Sequence, residues 1–274
     1  MTKQLLIYTN VVPVNRETHR SVSVRQTTDF QFAKETNSVP IVDIEFLKVM
    51  PEMPIVFART QTGIVTVALV GTNQNINSFV NSESGWDGKY IPAFFRRYPF
   101  VFAVEENNSR MTLCIDADYD GLNEDDKGER MFDSDGNETA YTKQVLRFAE
   151  EYQATFNRTQ AFCDRLEQLE LLEEARIDYT LADGNTGGVT GFMRVSIDKL
   201  RALDDEKLVE LFRSGDLDLI QLHLASMQQV ESLVNKSAAA QASASTGENQ
   251  ADDISDEDID SVDEDDTVPS ASVH

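Results

Sequence analysis

Arg96 and Arg97 sit side by side in a stretch, Trp86 to Phe102, that holds seven of the chain's 23 aromatic residues and its one tryptophan. A guanidinium can grip a carboxylate or carbonyl through two parallel N–H bonds, and flat aromatic faces attract cations and apolar rings. Trp86, Tyr90, Arg96, Arg97 and Tyr98 therefore make one candidate site, suited to a peptide, an amino acid or a sugar acid. The same residues also read as core. Each buried aromatic removes about 150–250 Å² from water, and a buried arginine needs carboxylates or carbonyls close by. The composition of the stretch favours the core reading.

His19 and His223 are further binding candidates, the third histidine, His274, being the last residue. Two histidines and an acid such as Glu17 would satisfy a two-His-one-carboxylate iron site, but nothing in the spacing brings the two together, and a structural role is expected for each. Asp116-Ala117-Asp118-Tyr119-Asp120-Gly121 matches the opening of an EF-hand loop. Position twelve of that loop is Lys127, where calcium requires a bidentate glutamate. Asp116, Asp118 and Asp120 are accordingly weak metal candidates, and a solvated acidic turn is expected. The chain contains no Gly-x-Ser-x-Gly elbow, no Walker A loop and no Gly-x-Gly-x-x-Gly fingerprint. No catalytic residue and no cofactor are assigned.

These residues must be carried by a mixed framework. Residues 4–14 and 20–25 read as short extended segments around the polar turn Asn15–His19. Ile55–Ala58 and Ile64–Val70 are β-branched runs joined by Gln61-Thr62-Gly63, which predicts a hairpin. Ile41–Val49 fits a strand or a short helix. Pro92 and Pro99 bar a helix through the aromatic stretch, and Phe100–Val104 and Met111–Ile115 are expected to pair antiparallel across a turn at 105–109. Apolar residues from Val145 to Leu169 form a helical stripe, predicting one or two helices over 142–174. A second hairpin is predicted from Arg176–Ala182 and Val189–Val195. Ser196 and Asp204 or Asp205 read as helix caps, and Gly215 as a stop. Leu217–Leu224 suits a strand or a helix running on to Val234.

The fold class expected is α+β: a mainly β part over 1–140, then helices, a hairpin and further helices over 141–235 on the same core. An acidic tail over 236–274, Ala/Ser-rich and then Asp/Glu-rich, is expected to be disordered. Formal net charge is −24, and the part before the tail is acidic in its own right, which argues against nucleic acid as a partner. Two cysteines far apart, Cys114 and Cys163, read as buried thiols. No stretch reaches the ~20 apolar residues of a membrane span, and the N-terminus lacks the features of a Sec signal. Cytoplasmic placement is the expectation, with export by another route left open.

Trp86-Asp87-Gly88-Lys89-Tyr90-Ile91-Pro92-Ala93 running into Arg96-Arg97-Tyr98-Pro99-Phe100 resembles the signature of the bacterial SapC family. Asn15–His19, Phe32-Ala33, Pro54–Phe57, Leu113–Asp116, Phe132–Gly136, Gly215–Leu217 and His223-Leu224 fall in the family's order, so the resemblance spans about residues 8–235. By its name the family implies a surface-layer association. Its members neighbour flavin-dependent tryptophan halogenases, cupin-type oxygenases and TonB-dependent receptors, and it is distinct from the transporter permease that shares the name. The resemblance implies an accessory or binding protein with a protein partner, linked to surface or uptake machinery. The alternative it implies is an enzyme or enzyme subunit in a tryptophan-modifying system.

Overall fold

A computed structural model describes residues 7–81, 85–104, 111–181, 184 and 186–251. The chain enters through β1 (Val11–Pro13), reverses at Asn15, whose side-chain oxygen accepts from the Glu17 and Thr18 N–H groups at 3.0 Å, and forms β2 (Ser23–Val24). Next come β3 (Ser38–Pro40) and a 3-10 turn, Asp43–Glu45, that leads into the one-turn helix α1 (Phe46–Val49). Of the two readings of Ile41–Val49, the helical one holds. The first hairpin is β4 (Ile55–Thr60) and β5 (Gly63–Leu69), paired from Ile55–Ala68 to Thr60–Gly63. Gly63 has φ +131°, a backbone conformation that side chains disfavour.

β6 (Val80–Asn81), β7 (Gly85–Trp86) and the one-turn helix α2 (Ala93–Arg96) carry the aromatic stretch into β8 (Phe100–Val104). β8 pairs antiparallel with β9 (Met111–Asp116) as expected, the turn at 105–109 lying outside the described residues. Short strands β10 (Leu122–Asn123) and β11 (Glu129–Arg130) flank β2. Helix α3 (Ala140–Gln168) is a single element, N-capped by Thr139, whose hydroxyl accepts from Thr142 N–H at 3.3 Å. It stops short of the expected 174. Glu170 takes φ +55° and the chain turns directly into β12 (Leu172–Thr180), so Glu173 and Glu174 lie in a strand.

β12 and β13 (Thr186–Val195) form the second hairpin, Asp183 and Asn185 of its turn lying outside the described residues. Between Ala175 and Ile177 the register slips, and Gly191 on β13 absorbs the extra residue at φ +83°. Then follow α4 (Ile197–Arg201), α5 (Asp205–Ser214), α6 (Asp216–Ser226) and α7 (Val230–Ala251). Asp204 caps α5 by accepting from Lys207 N–H at 2.9 Å, and Gly215 ends it in the left-handed region, both as expected. Leu217–Leu224 is helix: Asp216, Ile220 and His223 are buried one turn apart, on one face.

The fold is α+β. A five-stranded antiparallel sheet, ordered β12-β13-β4-β5-β3, is its frame, and β1-β9-β8 forms a second sheet. In the main core Phe57 lies between Phe162 of α3, 6.1 Å away, and His223 of α6, at 5.0 Å. Residues up to Ala238 make one compact unit. Within it Ser237 is buried, its hydroxyl 2.7 Å from Ser78 Oγ and accepting from Thr72 N–H at 3.2 Å. Lys236 bonds Asp87 and lies 4.8 Å from the Phe79 ring centroid. The expected start of the tail at Lys236 therefore falls inside α7, because the alanine-rich run after it is strongly helix-forming. In the second unit, from Ala239, the helix continues to Ala251, and residues 252–274 lie outside those described.

Candidate functional site

The aromatic stretch divides between core and cleft. Trp86 belongs to the core. Its ring stacks on Phe79 at 5.4 Å, meets Phe30 and Phe95 at 5.8 and 5.6 Å, and its Nε1–H donates to the Tyr90 carbonyl at 3.0 Å. After Pro92, which needs no N–H at a helix start, α2 begins over the buried Glu45. That carboxylate accepts from Val42 and Ala93 N–H and from the Tyr90 hydroxyl, at 2.9, 2.7 and 2.8 Å. Burial raises its pKa, and these bonds oppose the rise. Tyr90 in turn accepts from Arg96 Nη2 at 3.2 Å, while Arg96 Nε donates to the Ile91 carbonyl at 3.0 Å. The exposed Arg96 guanidinium is thereby held between the Tyr90 and Phe148 rings.

Arg97 turns inward. It is buried, with its guanidinium carbon 4.2 Å from the Phe94 ring centroid and 4.9 Å from that of Tyr152. Beside it lies a cleft of about 380 Å³ between α3, the Phe95–Phe102 segment and the Val24–Phe32 segment. The first half of the α3 stripe, Val145, Phe148, Ala149 and Tyr152, makes one wall. Phe32 and Tyr98, stacked at 4.1 Å and 21°, make another, with Tyr119 edge-on to Tyr98 at 5.4 Å. Arg96 and Arg97 are the only charged residues lining it among those described.

The cleft's tyrosines are held as neutral phenols. Burial raises the pKa of Tyr141 to about 12, and raises those of Tyr98, Tyr119 and Tyr152 too; the charge of Asp116 adds to the rise at Tyr98. The Tyr152 hydroxyl is buried without a hydrogen-bond partner among the described residues. Such a group costs about 1–3 kcal/mol in desolvation unless something else bonds it.

The remaining candidates have structural posts. His223 is fully buried: Val195 N–H donates to its Nε2 at 3.1 Å, and its Nδ1–H donates to the Ile55 carbonyl at 2.7 Å. Both nitrogens are committed, so neither can bind iron. β4 and β13 pair directly only at Phe57–Met193, and the imidazole bridges them where they diverge. Ser226, one turn on, accepts from Ile55 N–H at 2.8 Å. His19 stays in its turn, with Nδ1 2.8 Å from the Thr18 hydroxyl.

Asp116 is buried rather than solvated, and its carboxylate accepts from the N–H groups of Thr9, Asn10 and Asp118 at 2.9–3.2 Å. Asp118 bonds Thr9 and Asn10 side chains, and Asp120 is exposed. The EF-hand resemblance thus becomes a clamp on the N-terminal segment, and no cluster among the described residues could hold a metal ion. Cys114 and Cys163 are free and buried. No described helix is long and apolar enough to cross a membrane.

Sequence reasoning brought Arg96, Arg97 and Tyr98 to the site but missed Tyr152, Phe148 and Gln153 of α3, which read as an ordinary apolar stripe with polar flanks. An α+β protein with an arginine-bearing aromatic cleft is the class that fold and site define. A SapC family model matches residues 14–233, and the chain belongs to the SapC family. No curated protein and no solved structure matches it.

Proposed function

We propose that this protein binds a small organic anion in the cleft between α3 and the Phe95–Phe102 segment, and acts as a binding or accessory protein. The observation that carries the reading is a charge inversion. The chain carries −24 overall, yet among the described residues the two charged groups lining its aromatic cleft are both arginines. A low-dielectric cleft of one sign focuses the field on ligands of the other. Supporting it, the lining offers phenols, amides, one threonine and guanidinium groups, which are binding chemistry and not a general base near neutral pH. Acids of the peptide, amino-acid and sugar families all carry the required anion. Holding or delivering such a ligand to an envelope, uptake or amino-acid-modifying system is the accessory role it suits.

Thermal shift with paired acids and amides tests this directly. At least one acid at millimolar concentration should raise the melting temperature by several degrees, since binding at about 100 Kd adds about 2.7 kcal/mol, and its neutral amide should not. Equal shifts for acid and amide, or none across the panel, would remove the charge argument.

A further inference from the structure

Accepting the anion-binding reading, we propose that the ligand is an aromatic monocarboxylate without an ammonium group, its ring held against the cleft's aromatic walls and its carboxylate taken by Arg97 and the Tyr152 hydroxyl. Three observations separate this class from the other acids. The walls are ring faces and edges, Phe32, Tyr98 and Phe148 among them, which favour a flat apolar body. The charged groups lining the cleft among the described residues are two arginines and no carboxylate, so the ammonium of a free amino acid would meet like charge and no opposite charge to offset its lost water. A sugar acid has no flat apolar face to set against the Phe32, Tyr98 and Phe148 rings.

The third observation is the polar end. Tyr152 lines the cleft, and its buried hydroxyl lacks a hydrogen-bond partner among the described residues. Its neighbour Arg97 also lines the cleft, the guanidinium 4.9 Å from the Tyr152 ring centroid. The guanidinium lies over the ring, so this phenol O–H and this guanidinium both line one cleft and can serve as two donors for one carboxylate. A phenol is protonated at neutral pH, and burial raises the Tyr152 pKa further, so it is available as a donor. A carboxylate accepting from Tyr152 would meet the need that the protein itself leaves open, and would convert a destabilising group into a recognition element.

The test is calorimetric titration of the full chain at neutral pH with phenylacetate, 2-naphthylacetate, phenylalanine, phenylacetamide and glucuronate. The two arylacetates should bind, with phenylalanine and phenylacetamide at least ~10-fold weaker and glucuronate weakest. Tyr152→Phe should weaken arylacetate binding about 10–100-fold, as for a hydrogen bond to a charged group. Its melting temperature should hold or rise, because the orphan hydroxyl is gone. Phenylalanine or glucuronate binding as tightly as the arylacetates would overturn the ligand class while leaving the anion cleft standing. Unchanged arylacetate affinity in Tyr152→Phe would overturn the role of that hydroxyl. Absence of binding by every acid would remove both this inference and the function it rests on.

Discussion

Trp86→Ala is expected to destabilise the protein by about 3–5 kcal/mol, as large aromatic truncations in cores do. The indole is 9% exposed and touches three other rings. It also ties the Tyr90 carbonyl back to its own Nε1. Phe79, on which it stacks, is covered by Lys236 from α7, and Gly88 leaves room for the indole, since a Cβ there would stand 2.8 Å from Nε1. Truncation therefore opens a cavity between elements distant in sequence, which cannot collapse without moving both. Urea denaturation monitored by far-ultraviolet circular dichroism measures the loss. A cost under about 1 kcal/mol would place Trp86 outside the core.

His223 gives the second large effect, one that depends on pH. Burial is the main force pulling its pKa down from 6.5 to about 4; the bond to the Ile55 carbonyl opposes this, and the charge of Arg194 adds to it. The fold thus holds the neutral ring, while the unfolded chain takes up a proton below about 6.5. The unfolded state then binds more protons at this site, so the contribution of His223 to stability is constant above that pH and falls as pH drops toward 4, by about 3 kcal/mol in all. His223→Leu should cost roughly 2–5 kcal/mol at pH 7, by orphaning Val195 N–H and the Ile55 carbonyl. It should also lose most of the fall between pH 6.5 and 4.5. Unfolding free energies of both proteins at those two pH values decide the matter, and parallel losses would show that His223 carries no such linkage.

What could be read ahead of the structure followed the range of the interactions. The Ile55–Leu69 hairpin, the Asp204 cap and the Gly215 stop are fixed by residues within a turn of one another, and they stand where their residue types put them. The end of α3 was misplaced because no Gly or Pro marks it; Glu170 adopts the left-handed turn itself. Leu217–Leu224 was ambiguous because its helical face carries polar Asp216 and His223, paired with Arg165 and with two strands. The site was half legible for the same reason. Neighbouring Arg96 and Arg97 advertised chemistry, but the side of the chain on which each would lie depends on α3, some fifty residues on, packing over α2. Trp86 and Tyr90, equally plausible as cleft walls, went to the core and to the Glu45 relay.

The central claim is that the buried charge of Arg97 serves the cleft, and the most direct measurement compares the phenylacetate affinity of the wild type with that of Arg97→Met, both shown to be folded. Methionine keeps an apolar stem against Phe94 and Tyr152 while removing the charge. A drop of about 10-fold or more is predicted, the scale of a lost hydrogen bond to a charged group. Equal affinity in the two proteins would contradict the account and return Arg97 to a purely structural role.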